Sequence, residues 1–295
     1  MENPIIQLNK LSKYYGKHRG VIELDMVVNR GEIFGYLGPN GAGKTTTMRL
    51  LLDFMRPTSG SASIFGLDTR FDSIQIRKRT GYLSTSPVLY EDLTGREFLK
   101  YCSNLKGNQD WHYMYELVDR LQCDIDRSIS TLSHGNKQKI AILRALMHLP
   151  ELVIMDEPTT GLDPLIQHEL ETILRELADQ GSTILFSSHV LSEAEALCDR
   201  VGIIREGKLI AVEDVIDLKS KQVRRLELVF KGTVSSESFT NIEGIKNVVI
   251  DGSQLSCEIV GSLDSFIKTA SNFEVLDIHI NEPSLEDIFL SYYDV

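Results

Sequence analysis

An α/β fold on a largely parallel sheet, followed by a smaller α+β unit, is the class this sequence predicts. Three observations point to it. Strand-length and helix-length apolar patterns alternate through the first part of the chain. A glycine-rich turn, Gly38-Pro39-Asn40-Gly41-Ala42-Gly43-Lys44-Thr45, sits between a strand pattern and a helix pattern. The run Leu152-Val153-Ile154-Met155 is continuously apolar, as in a strand buried on both faces, and it ends in two acids.

Taken in order, Ile5 to Leu11 and Val21 to Val28 read as strands. Glu32 to Leu37 reads as a third, ending in the glycine-rich turn, and a helix follows from about Lys44 to Phe54. Asp163-Pro164 opens another helix, with an N-cap acid and proline at the first helical position. Its Ile166, Leu170, Ile173, Leu174 and Leu177 share one face, and Ser182 to Phe186 returns as a strand. The pattern changes between Leu218 and Gln222, so residues 1–219 and 220–295 are read as separate domains. The second runs strand (Arg225 to Phe230), helix (Glu237 to Ile242), strand (Lys246 to Ile250), strand (Leu255 to Val260), helix (Leu263 to Ser271), strand (Glu274 to Ile280). That βαββαβ order resembles a ferredoxin-like unit. Glu282 to Leu290 reads as a capped amphipathic helix.

The chain has 295 residues, 42% hydrophobic and 25% charged, an ordinary globular composition. A net charge of -11 offers no basic footprint, so no nucleic-acid partner is expected. No apolar run approaches the roughly 18 residues of a membrane span. The opening MENPIIQLNK starts with an acid and lacks a signal peptide's apolar centre. Cys102, Cys123, Cys198 and Cys257 are dispersed, with no CxxC pair, as in reduced thiols. A cytoplasmic location is expected, with any membrane role supplied by a partner.

The glycine-rich turn matches GxxxxGK[ST] in the strand–turn–helix context that gives the pattern its meaning. Glycines let successive N–H groups curl around an anion, and the helix N-terminus adds its positive end. Gly38, Pro39, Asn40, Gly41, Ala42, Gly43, Lys44, Thr45 and Thr46 are therefore candidate nucleotide-binding residues. Lys44 would reach the β and γ phosphates, and the Thr45 hydroxyl would face magnesium. At the end of the apolar run, Asp156 would serve magnesium through water and Glu157 would polarise an attacking water as general base.

Further segments resemble the ABC ATPase family. Thr131-Leu132-Ser133-His134-Gly135-Asn136-Lys137-Gln138-Lys139 looks like its signature motif, where Ser133 and Gly135 at a helix N-terminus form a second anion site. Pro158 to Pro164 looks like the D-loop, and His189 like the switch histidine. Tyr15 looks like the aromatic that stacks on adenine, with Tyr14 as a competing candidate. The elements follow the family's order over residues 5 to 215. The resemblance implies an ABC-type P-loop NTPase domain with a helical subdomain, ATP and Mg²⁺ as ligands, and Glu157, His189 and Lys44 as catalytic residues. It also implies a homodimer or a paired ATPase subunit, each ATP lying between the glycine turn of one chain and the signature of the other.

Two segments depart from the family. After Gly81-Tyr82-Leu83, where the family has Pro-Gln or Pro-Glu, this chain has Ser84 and Thr85. Thr85 is thus a candidate metal residue with a short side chain. Slower hydrolysis, metal ligation completed by water, and a loop that mainly contacts a partner are all consistent with it. In the signature, His134 replaces the first glycine and Asn136 replaces glutamine. The ending Glu282-Pro283-Ser284-Leu285-Glu286-Asp287-Ile288-Phe289 looks like the "EPTLEDVFL" close of ATPases from ABC-2 type multidrug and antibiotic exporters. That branch implies a separate transmembrane permease, docked near the loop from Thr85 to Thr94, and a peripheral location on the inner membrane face. A soluble ATP-dependent switch and an inactive nucleotide-binding scaffold are the alternatives.

Overall fold

The computed structural model describes residues 4–107, 111–220, 223–235, 237–240, 242, 244–260 and 263–281. The helix expected from Glu282 lies outside them. The chain divides into two compact units, residues 1–213 and 214–295.

In the first unit the elements run β1 (Ile6–Tyr15), β2 (His18–Val28), β3 (Ile33–Leu37), α1 (Lys44–Leu51), β4 (Ser59–Ile64), β5 (Leu67–Asp68), α2 (Ser73–Arg79) and β6 (Thr80–Leu83). They continue with α3 (Gly95–Lys106), α4 (Trp111–Arg120), α5 (His134–Leu146), β7 (Leu152–Asp156), α6 (Pro164–Asp179), β8 (Thr183–Ser188), α7 (Leu191–Leu197), β9 (Arg200–Arg205) and β10 (Lys208–Asp214). One sheet has the order β2-β1-β4-β5 with antiparallel pairing. The other has the order β10-β9-β3-β8-β7-β6, with parallel pairing from β9 to β6. β3, β7 and β8 are buried along their whole length, which is why Ile33 to Leu37, Leu152 to Met155 and Ile184 to Phe186 show no polar alternation. Because these strands are parallel, Leu37, Leu83, Asp156 and Ser188 all end at one edge of the sheet, the edge where open α/β sheets place ligands.

The α6 helix forms as its sequence dictates. The Asp163 side chain accepts from Ile166 N at 3.1 Å, Pro164 occupies the first turn, and Ile166, Leu170, Ile173, Leu174 and Leu177 are all buried. Each such side chain contributes about 1.5–3 kcal/mol on leaving water. Arg120 at the end of α4 reaches Glu169 at 2.6 Å and grips Glu176 through two nitrogens at 2.5 and 3.0 Å, joining α4 to α6. A capping box starts α3: Thr94 N donates to Glu97 Oε2 at 2.9 Å, and Glu97 N donates back to Thr94 Oγ1 at 3.2 Å.

Helix α1 stops at Leu51, short of the expected Phe54. Asp53 adopts a left-handed φ of 57°, and Phe54 N reaches back five residues to Arg49 O at 2.9 Å. That reversal closes the helix although the apolar pattern continues.

The second unit contains α8 (Val215–Ser220), β11 (Val223–Phe230), α9 (Glu237–Thr240), β12 (Ile245–Asp251), β13 (Gln254–Val260), α10 (Asp264–Ala270) and β14 (Val275–Asn281). Its sheet order is β12-β13-β11-β14, antiparallel throughout, the arrangement a βαββαβ chain makes when each helix crosses over one strand. Leu226, Leu228, Phe230, Phe239, Leu255, Ile259 and Phe266 form its core. The expected helix to Ile242 is described over Glu237–Thr240, and Ile242 itself lies in a bend.

A polar knot fastens α3 and α5 to the end of α2. Lys106 Nζ donates to Arg77 O at 2.8 Å and to Thr80 O at 3.1 Å, and lies 3.1 Å from His148 Nε2. Burial, together with the neighbouring Lys106 charge, pushes the His148 imidazole down to about 4. The folded state thus prefers neutral His148, and its contribution is fully present above pH ~6.5 and lost as pH falls towards ~4. Thermal unfolding followed between pH 7 and 4 should show a shallower acid loss for His148→Gln than for the natural chain. Equal slopes would contradict this.

Candidate functional site

The site begins where β3 ends. A Cβ at Gly38 would lie 2.3 Å from Ile204 O, so the chain leaves the strand there only without a side chain. Gly43 has φ 116° and would place a Cβ 2.8 Å from Val21 Cγ1. The turn between them curls so that the side chain of Lys44, the first residue of α1, folds back over it. Lys44 Nζ donates to Gly38 O at 2.5 Å and Pro39 O at 3.3 Å, and is only 5% exposed. Ala42 is buried, and its carbonyl accepts from Gly207 N at 2.8 Å, pinning the back of the turn.

β7 ends in Asp156 and Glu157, and the two acids meet different surroundings. Asp156 is fully buried. Its Oδ1 accepts from Ser187 Oγ, and its Oδ2 accepts from both Thr45 Oγ1 and Thr85 Oγ1, each at 2.6 Å. Ser187 is its register partner on β8, Thr85 follows β6 on the other side, and Thr45 belongs to α1.

Successive side chains of a strand point to opposite faces. Glu157 departs from that rule with φ 53°, a left-handed conformation uncommon outside glycine. Its N–H is held by Ser187 O and Ser187 Oγ, both at 3.2 Å. The turn lays its carboxylate between two nitrogens: Lys44 Nζ at 3.3 Å from Oε1 and His189 Nδ1 at 2.8 Å from Oε2. Glu157 is 13% exposed, whereas His189 is half exposed. Beyond β8, Ser188 Oγ donates to Glu193 Oε2 at 2.5 Å and Thr159 Oγ1 to Glu193 Oε1 at 2.7 Å, tying the two loops after β7 and β8 together.

One open groove of about 420 Å³ gathers most of the predicted residues: Tyr15, Pro39, Asn40, Gly41, Gly43, Lys44, Thr45, Thr46, Thr85, Glu157 and His189. Tyr15 lines it and Tyr14 does not. The Tyr15 hydroxyl lies 3.3 Å from Thr46 Oγ1 and donates to Met55 Sδ at 3.1 Å, which leans the ring over the start of α1. Gly20 permits this, since a Cβ there would come within 2.8 Å of the ring. Gly38, Ala42 and Asp156 stand behind the groove wall. Ser133 and Gly135 are not part of the lining. They begin α5, where Ser133 Oγ accepts from Asn136 N at 3.3 Å and a Cβ on Gly135 would meet Gly161 O at 2.7 Å.

Arg19 and Gly20, which belong to no motif, also line the groove, as does Thr160 of the segment Pro158 to Pro164, and Ser187 clads Asp156. Ser187 was open to inference: it precedes His189 by two residues on the strand beside β7. Arg19 and Gly20 reach the groove only because β2 passes alongside α1, which no motif records. Among the described residues, no cluster of three His, Cys, Asp or Glu could hold a metal alone. The donors present are threonine and carboxylate oxygens, which suit a hard cation that retains waters and phosphate oxygens.

Comparison with known proteins agrees with this geometry. Residues 21–160 match the family described as ABC transporter. The chain is 38% identical to the bacitracin transport ATP-binding protein BcrA of Bacillus licheniformis, over 97% of this chain and 96% of that protein. It is 31% identical to the linearmycin resistance ATP-binding protein LnrL of Bacillus subtilis (strain 168), over 97% of each. A solved structure described as the ATP binding subunit of an ABC transporter has a TM-score of 0.67 at 33% identity, covering 73% of this chain and 92% of that one. With near full-length similarity to such relatives, the chain belongs to the family of ABC transporter ATP-binding proteins, which are ATPases.

Proposed function

We propose that this chain hydrolyses ATP as half of a nucleotide-sandwich dimer, a homodimer or a pair with a related subunit, and thereby drives export of a small molecule through a separate permease. The observation that supports hydrolysis most directly is the Glu157 carboxylate, held between Lys44 and His189 above the buried Asp156. The names of BcrA and LnrL, with bacitracin transport and linearmycin resistance, support export as the direction.

In this reading the N–H groups of residues 40–46 face the phosphates, and Lys44 exchanges its loop carbonyls for β and γ oxygens. Tyr15 stacks on the base, the geometry favouring it over Tyr14. Magnesium, when bound, neutralises charge developing on the β and γ oxygens. Thr45 is its protein ligand, with Asp156 behind it acting through water. Glu157 takes a proton from the attacking water as oxygen bonds to the γ phosphorus and the bond to ADP breaks. His189 keeps the carboxylate aimed through its 2.8 Å contact. Ser133 and Gly135 lie outside this chain's own groove, so a second chain has to supply an α5 tip to complete each site.

A second groove suits the permease. It measures about 350 Å³ and is lined by Leu52, Phe54, Tyr82, Leu105, Arg144 and Met147, among others. Arg144 Nη1 donates to Val88 O at 3.4 Å, so the groove borders the loop from Thr85 to Thr94. Among the described residues no helix is long and apolar enough to cross a membrane, consistent with docking from the inner face.

Glu157→Gln should retain ATP binding and lose at least about 100-fold in turnover, while ATP with magnesium accumulates a stable dimer on size exclusion. Turnover at the natural rate would remove Glu157 from the role of base. Leu105 is 71% exposed, so Leu105→Glu should leave folding and ATP binding intact but abolish co-purification with a membrane chain. Unchanged co-purification, or no membrane chain with the natural protein, would contradict the permease assignment.

A further inference from the structure

Thr85 stands where the family has a long amide or acid, yet its side chain does not project towards a distant ligand. Its hydroxyl donates at 2.6 Å to Asp156 Oδ2, the oxygen that also takes the Thr45 hydrogen. Ser187 occupies the opposite oxygen at 2.6 Å. Asp156 is thereby clad by three hydroxyls from three elements, and no cation lies within ion-pair distance of it among the described residues. A buried carboxylate whose described partners are all neutral hydroxyls lacks a counter-charge, which an incoming cation would supply.

The loop that bears Thr85 is moored at its other end to the helical part of the unit. Glu91 Oε1 pairs with Lys137 of α5 at 2.8 Å, and the Glu91 carbonyl accepts from Ser128 Oγ at 3.2 Å. Ile129 N donates to Leu93 O at 2.9 Å. Among the described residues, the Thr85 hydroxyl is what joins this loop to the Asp156 carboxylate.

We infer that Thr85 is a positioning residue for magnesium, acting through Asp156: its hydroxyl fixes the shared oxygen so that Asp156 and Thr45 are in place before the ion arrives. The inference rests on the ATP-hydrolysis reading of this groove. Geometry rather than reach makes threonine suitable. A short β-hydroxyl beside β6 spans the gap to β7 directly, and its hydrogen goes to the carboxylate while its lone pairs remain free. Loss of that bond leaves Oδ2 with one donor and lets the carboxylate turn, so the damage falls on metal binding rather than on nucleotide binding alone.

The test uses the full-length chain and ATP, titrated by calorimetry in EDTA and across a magnesium series. Thr85→Val keeps the shape and removes the hydroxyl, whereas Thr85→Ser keeps the hydroxyl. The magnesium concentration that half-maximally tightens ATP binding should rise about tenfold or more in Thr85→Val and stay within about twofold in Thr85→Ser. ATP affinity in EDTA should be the same in all three proteins. A magnesium dependence in Thr85→Val equal to the natural one overturns the inference. So does an equal shift in both variants, or a Thr85→Val protein weakened in EDTA, since each would mean a role in packing. The natural chain is the separate control: if it binds no ATP, the hydrolysis reading itself fails, and this inference with it.

Discussion

A buried carboxylate that no cation among the described residues pairs with is the constraint around which this ATPase unit is organised. Asp156 sits at the end of β7 with no exposure, and its negative charge is tolerable only because Ser187, Thr45 and Thr85 each give it a hydrogen. Those donors arrive from β8, from α1 and from the segment after β6. The parallel sheet order β8-β7-β6 is what brings two of them alongside, and the glycine turn after β3 is what delivers the third. A different strand order would strand the charge.

The neighbouring acid shows the opposite solution. Glu157 abandons strand geometry with a left-handed φ, at a cost of order 1–3 kcal/mol, and so escapes the alternation that would point it away from the groove. Its reward is contact with Lys44 and His189, where a carboxylate can meet water and phosphate. Two adjacent acids of similar intrinsic chemistry therefore meet different environments, one fixed behind hydroxyls and the other set between two nitrogens. The proposed function assigns the first to a metal and the second to a proton.

The glycine turn was legible because its GxxxxGK[ST] spacing falls between a strand pattern and a helix pattern, although the contacts that exclude side chains at Gly38 and Gly43 come from distant Ile204 and Val21. β7 was legible because strands buried on both faces leave an uninterrupted apolar run. Asp163-Pro164 announced α6 through capping chemistry that is local to a few residues. What stayed hidden depends on distant partners. The end of α1 at Leu51 follows from the reversal at Asp53, which the continuing apolar pattern masks. Thr85 read as a short substitute for a longer residue, because sequence spacing does not show that Asp156 lies within hydrogen-bond reach across two strands. The Lys106–His148 contact joins α3 to the residue after α5, and neither side chain belongs to a motif. Gly20 belongs to no motif, and the absence of a side chain there matters only because the Tyr15 ring lies against it.

In the proposed function the groove and the hydroxyl-clad acid form half of a site, which the α5 tip of a second chain would complete. A structure of the Glu157→Gln chain with ATP and magnesium tests this most directly. The account predicts two chains facing each other. The ion should sit on Thr45 Oγ1, with Asp156 still accepting from Thr85 and Ser187, Ser133 of the partner subunit on the γ phosphate, and the residue at 157 within about 3 Å of an in-line water. A single chain that binds ATP and magnesium in full, with no second α5 tip on the phosphate, would contradict it.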